Sequence, residues 1–121
     1  MMIRGIRGAT TVENNEQDEI VNRSLEMMQA IITANQLDAD DVVSVYFTVT
    51  EDLTDTFPAK SLRQMDGWTY VPVMCMREIP VPGSLKKCIR VMVTARTEIE
   101  QAQIQHVYHH QAVQLRPDLK S

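Results

Sequence analysis

The chain has 121 residues, 44% of them hydrophobic, which suits one domain built on a single core. Its formal net charge of −4 argues against a nucleic-acid or anionic-membrane partner. The charge is uneven: residues 1–55 hold 11 acidic and 3 basic side chains and residues 56–121 hold 5 and 9, so an anion site is expected to draw on the second half.

In chain order, "MMIRGIRGATTV" alternates through Ile3, Ile6 and Val12 and predicts a strand weakened by Gly5 and Gly8. From Asn15 to Asn35 the apolar positions Val21, Leu25, Met28 and Ile32 follow helical spacing, with Glu16, Asp18 and Glu19 in the first turn. "VVSVYFTVT" (42–50) is β-branched and aromatic and predicts a buried strand, followed by a turn-rich loop. Pro58 suits the first turn of a short helix, "PAKSLRQM", which Gly67 closes. "TYVPVMCMREI" (69–79) predicts a strand with Pro72 at an edge or bulge, and "VPGS" turns the chain into a strand at "KKCIRVMV". A helical segment, "EIEQAQIQHVYHH", and a last strand, "AVQLR", complete the pattern before Pro117. About five strands and two or three helices in this order imply an α+β domain spanning residues 1–121.

Neither an apolar signal-peptide core nor a run of about 18 apolar residues is present, so a cytoplasmic, soluble protein is expected. Two cysteines, Cys75 and Cys88, form no CxxC, and His106, His109 and His110 crowd one segment; neither set makes a disulfide framework or a zinc site. The i, i+4 spacing of His106 and His110 fits a solvated helix face.

Three ionisable residues interrupt apolar strands. Alternation puts Arg90 on the face of Cys88 and Met92, Arg7 on that of Ile3 and Gly5, and Glu78 on that of Met74 and Met76. Each can lie on a solvent-facing side, or Glu78 can pair with one arginine. Alternatively, Arg7 and Arg90 bind an anion in a concave site while Glu78 accepts hydrogen bonds, with Gly5 and Gly8 letting a ligand approach the backbone. Pattern does not choose between these readings.

Six ordered blocks carry a resemblance: "MMIRGIRGATTVE" at the start, "FPAK" (57–60), "GWTYVPVMCMREI" (67–79), "LKKCIRVMVT" (85–94), "HVY" (106–108) and "LRPDL" (115–119). On these the chain resembles the monofunctional, AroH-type chorismate mutases. The resemblance implies an α+β domain, chorismate mutase/YjgF-like, that forms a homotrimeric pseudo-barrel with active sites between subunits. It implies the Claisen rearrangement of chorismate to prephenate in phenylalanine and tyrosine biosynthesis, a pericyclic step that needs no cofactor, metal or nucleophile.

By the same resemblance Arg90 would meet the ether oxygen and the side-chain carboxylate, and Arg7 and Tyr108 would bind that carboxylate. Glu78, with Cys75 beside it, would accept the ring hydroxyl's hydrogen bond. Phe57, Ala59, Lys60, Val73 and Met74 would come from the adjacent subunit, Leu115 would close the pocket, and Arg63 and Arg116 would lie at its mouth. The family usually carries a hydroxyl residue where this chain has Met74, which leaves a backbone contact there. Two other classes would use similar arginines: a non-catalytic trimeric carboxylate sensor, and an imine-hydrolysing enzyme of the YjgF type.

Overall fold

Alternating and β-branched runs become strands, and the long amphipathic run becomes a helix, in the computed structural model, which describes residues 1–115. In chain order the elements are β1 (Met2–Thr11), α1 (Gln17–Asn35), β2 (Val42–Val49), β3 (Val73–Arg77), β4 (Cys88–Thr97) and β5 (Val107–Tyr108). Short 3-10 helices occupy Ala39–Asp41, Pro58–Gln64, Gln101–Gln103 and His110–Gln114. No helix among the described residues is long and apolar enough to cross a membrane.

The sheet order is β3-β2-β4-β1-β5. β4 is antiparallel to β1 and β2, whereas β1 with β5 and β2 with β3 are parallel pairs, so the sheet is mixed and the domain is α+β as expected. Pro72 stands just before the edge strand β3, where its missing N–H leaves no ladder bond unmade, and its carbonyl accepts the Val45 N–H.

α1 starts where Glu16 accepts the N–H groups of Asp18 and Glu19, and ends at Gln36, whose left-handed backbone (φ 53) donates to the Ile32 carbonyl. Its buried positions are Ile20, Val21, Ser24, Met27, Met28, Ile31 and Asn35. That stripe is turned slightly from the expected Val21–Leu25–Met28–Ile32 line, because helix registry is set by the sheet it covers. Ile6, Val45, Phe47, Ile89 and Val93 of the strands meet Met27, Met28 and Ile31 of α1 in the core.

Gly8 serves this packing, while its backbone also lines the cleft described below. A Cβ there would come within 2.7 Å of the Ile31 Cδ1 and 3.0 Å of the Val91 Cγ1, so the missing side chain lets α1 close on β1. Gly8→Ala is expected to destabilise the fold by about 1–3 kcal/mol through overpacking. An unchanged melting temperature would show that Ile31 and Met27 can move aside without loss.

The last third differs from the sequence expectation. The helix expected in "EIEQAQIQHVYHH" is only the 3-10 turn Gln101–Gln103, and the fifth strand lies at Val107–Tyr108 rather than in "AVQLR", which is largely the His110–Gln114 turn. The free edge of β1 supplies the partner: the His109 N–H donates to the Ala9 carbonyl at 2.9 Å, a bond a local helix would forfeit. The i, i+4 spacing of His106 and His110 therefore marks no helix face. His110 instead lies 3.0 Å from Glu26 on α1.

Candidate active site

Strand register assembles the charged residues that the sequence scatters. Arg90 on β4 stands between Thr48 on β2 and Ala9 on β1, and Ala9 stands beside Tyr108 on β5. In the next row Met92 lies between Tyr46 and Arg7. Directly paired residues share a sheet face, so Arg7, Tyr46, Thr48, Arg90, Met92 and Tyr108 face the same way. The opposite face of β4, from Ile89 through Val91, Val93 and Ala95, enters the core. Arg90 is thus in a core strand but not in the core, which lessens the desolvation penalty that its position in the sequence implied, and Glu78 offsets the rest.

A cleft of about 440 Å³ opens over that face, with Arg7, Ala9, Thr48, Arg90, Tyr108 and Leu115 in its lining. This volume lies within the usual range for small-molecule sites. Among the described residues the Arg7 guanidinium makes no ion pair. Among the described residues the buried Tyr108 hydroxyl has no hydrogen-bond partner. A buried hydroxyl without a partner beside two guanidinium groups is suited to an anionic ligand that supplies the missing acceptor.

Glu78, one residue past β3, turns back to this face. Its carboxylate takes Arg90 Nε at 2.5 Å and Nη2 at 2.8 Å, and accepts the Thr48 hydroxyl. The Arg90 bonds hold the Glu78 carboxyl below its ordinary value of 4.5, against the opposing effect of burial, with Thr48 assisting. The same pairing raises Arg90. Because the folded carboxyl titrates below the unfolded one, the pair stabilises the fold above the ordinary value and loses that effect as pH falls through the folded value. Glu78→Gln should melt below the parent chain at neutral pH and converge with it in acid. A melting difference that stays constant from neutral pH to well below the ordinary carboxyl value would contradict this.

The structure groups the remaining residues differently. Phe57, Lys60 and Cys75 line a second cleft of about 560 Å³ at the β3 edge. Cys75 pairs in register with Phe47 on the core side, while Met74 and Met76 point to the arginine face. Alternation along β3 therefore turns the Cys75 side chain away from the face of Met74 and Met76. Burial pushes its thiol upward against the effect of the nearby Ala59 backbone, and burial pushes Cys88 up to about 11, so neither offers a thiolate at neutral pH. Ala59 and Val73 are half-buried against the core, whereas Phe57, Arg63 and Met74 are exposed. Arg116 lies outside the described residues.

Sequence reasoning missed Thr48 and His106. Thr48 lies opposite Arg90 only through a long-range register. His106 Nδ1 accepts the Arg7 backbone N–H at 2.9 Å, a contact across 99 residues that no local pattern announces.

The profile of the family "Chorismate mutase type I" matches residues 3–119. The chain belongs to the type I chorismate mutase family. It is 52% identical over 119 residues to chorismate mutase AroH of Bacillus subtilis (strain 168), covering 98% of this chain and 94% of that one. To chorismate mutase AroH of Thermus thermophilus it is 46% identical over 121 residues, covering 99% and 98%. The solved chorismate mutase from Clostridium thermocellum superposes with a TM-score of 0.87 at 49% identity, covering 89% of this chain and 96% of that one. The type I chorismate mutase fold thus extends to the arginine-lined cleft, which lies on elements inside the matched span.

Proposed function

We propose that this type I chorismate mutase converts chorismate to prephenate, the precursor of phenylalanine and tyrosine, in the cleft lined by Arg7, Arg90 and Tyr108. The observation that carries the site assignment is the buried, unpartnered Tyr108 hydroxyl beside Arg7 and Arg90, which fits a bound carboxylate. Chorismate is a dianion whose enolpyruvyl ether must fold over the ring, and breaking the C–O bond leaves partial negative charge on the ether oxygen. Arg7 and Tyr108 hold the side-chain carboxylate in the folded conformer. Arg90 presents fixed positive charge to the ether oxygen. Glu78 both clamps Arg90 and accepts from the ring hydroxyl, placing negative charge near a ring that becomes partly cationic.

An enzyme at the low end of the usual range lowers its barrier by roughly 8 kcal/mol. One preorganised oxyanion donor supplies roughly 3–4 kcal/mol, so Arg90 carries a large share and conformational restriction much of the rest.

The active unit in this reading is a cytoplasmic homotrimer. The arginine face exposes Ile3, Tyr46, Met74 and Met92, an apolar surface that favours cover by another copy. Phe57, Ala59, Lys60, Val73 and Met74 of the adjacent subunit wall the site, Leu115 closes it, and Arg63 and Arg116 attract substrate at the mouth. Cys75 accompanies the Phe57 half, with which the single chain groups it. A carboxylate sensor or an imine hydrolase finds no support among the relatives, which are named chorismate mutases. Following chorismate loss by absorbance, with prephenate identified as product, tests the activity. Binding without turnover would return the sensor.

A further inference from the structure

β5 is only two residues long, yet it delivers Tyr108 to the cleft. So short a strand needs bonds beyond its own ladder to stay in place. Upstream, the buried Asn35 of α1 grips Gln105 at both backbone groups: the Gln105 N–H donates to Asn35 Oδ1 at 2.8 Å, and Asn35 Nδ2 donates to the Gln105 carbonyl at 2.9 Å. Downstream, the Gln111 N–H donates to the Thr11 hydroxyl at 3.1 Å. Between these anchors, one residue before the β1–β5 ladder begins at Gly8 and Val107, the His106 imidazole takes the Arg7 N–H.

This contact joins the two groups assigned to one substrate carboxylate. Arg7 hangs from the backbone whose N–H His106 accepts, and Tyr108 follows His106 by two residues. To accept, Nδ1 must carry no proton. We propose that His106 is a positioning residue of the reaction, its Nδ1 fixing the spacing between the Arg7 guanidinium and the Tyr108 hydroxyl. The inference rests on the proposed carboxylate role of Arg7 and Tyr108, and gives that pair a specific determinant outside the cleft lining.

The test compares His106→Asn, His106→Gln and His106→Leu in the full chain, by thermal melting and by steady-state kinetics on chorismate. An asparagine Oδ1 stands one bond beyond Cγ, as the imidazole Nδ1 does, whereas a glutamine Oε1 reaches toward the place of Nε2. His106→Asn should keep kcat/KM within about threefold of the parent, while Gln and Leu should lose about tenfold, which is about 1.4 kcal/mol, chiefly through KM. In a Tyr108→Phe background the further loss from His106→Leu should shrink, because the hydroxyl being positioned is gone. Equal losses in all three variants, or losses fully additive with Tyr108→Phe, would overturn the proposal, since a merely structural histidine gives that result. Leu and Gln variants both within threefold of the parent would overturn it too. Should Leu fail to fold, Gln against Asn, each also combined with Tyr108→Phe, makes the same comparisons. If Arg7→Ala and Tyr108→Phe leave kinetics unchanged, the carboxylate assignment itself fails. If they impair turnover and the His106 order is absent, only the positioning role fails.

Discussion

Arg90→Lys is expected to lose about 10²–10³-fold in kcat/KM, the range for removal of one preorganised oxyanion donor, although the positive charge remains. Two nitrogens of Arg90 already engage the two oxygens of Glu78, and the planar fork leaves a further N–H edge for the substrate. A lysine ammonium has one nitrogen, so it cannot satisfy Glu78 and meet the ether oxygen with the same geometry. The Arg90 side chain is half-exposed, so the variant should remain folded. Activity within about threefold of the parent, only about 0.65 kcal/mol, would remove Arg90 from the transition state.

Glu78→Ala is expected to cut kcat/KM about 10- to 100-fold with a small change in melting temperature. A hydrogen bond to a charged group contributes roughly 1.5–3 kcal/mol, which sets the kinetic scale. An ion pair with one half-exposed member stabilises a fold by about 1 kcal/mol or less, which sets the thermal one. The pairing of Glu78 with Arg90 is thus compatible with a role in the site, because the same bonds that join them also orient the guanidinium. If Glu78→Ala instead melts at a much lower temperature and its folded fraction keeps full activity, the carboxylate is a structural partner only.

The strands with local signatures were legible in the sequence. A β-branched and aromatic run gave β2, a short apolar run gave β4, and Glu16, Asp18 and Glu19 marked the start of α1, while the strand expected over 69–79 with Pro72 at an edge or bulge begins only after Pro72. β5 was not legible, because two residues carry no period and their partner lies about a hundred positions away. The anomaly of Arg90 within an apolar run was visible, but not its resolution. Only the register of β2, β4 and β1 shows that Arg90, Thr48 and Arg7 share the uncovered face. The packing role of Gly8 was not legible for a related reason: the obstacle to a side chain there is Ile31 of α1, and helix-to-strand docking leaves no trace in the strand's own pattern. The resemblance set Cys75 beside Glu78, and the register of β3 adds that the Cys75 side chain starts from the core side of that strand.

The proposed cleft, completed by a neighbouring chain, would explain why the arginine half and the Phe57 half occupy separate places on one chain. In the proposed ring of three, each interface would join two different faces, so each cleft would take its Arg90 half from one subunit and its Phe57 half from the next. The deciding measurement co-unfolds and refolds equal amounts of Arg90→Ala and Phe57→Ala chains, verifies mixed trimers by mass, and compares turnover with the average of the unmixed variants. About a quarter of the clefts should regain both native residues under random mixing, so activity should rise toward a quarter of the parent's. No gain over the unmixed average, in verified mixed trimers, would contradict a shared cleft built around Arg90.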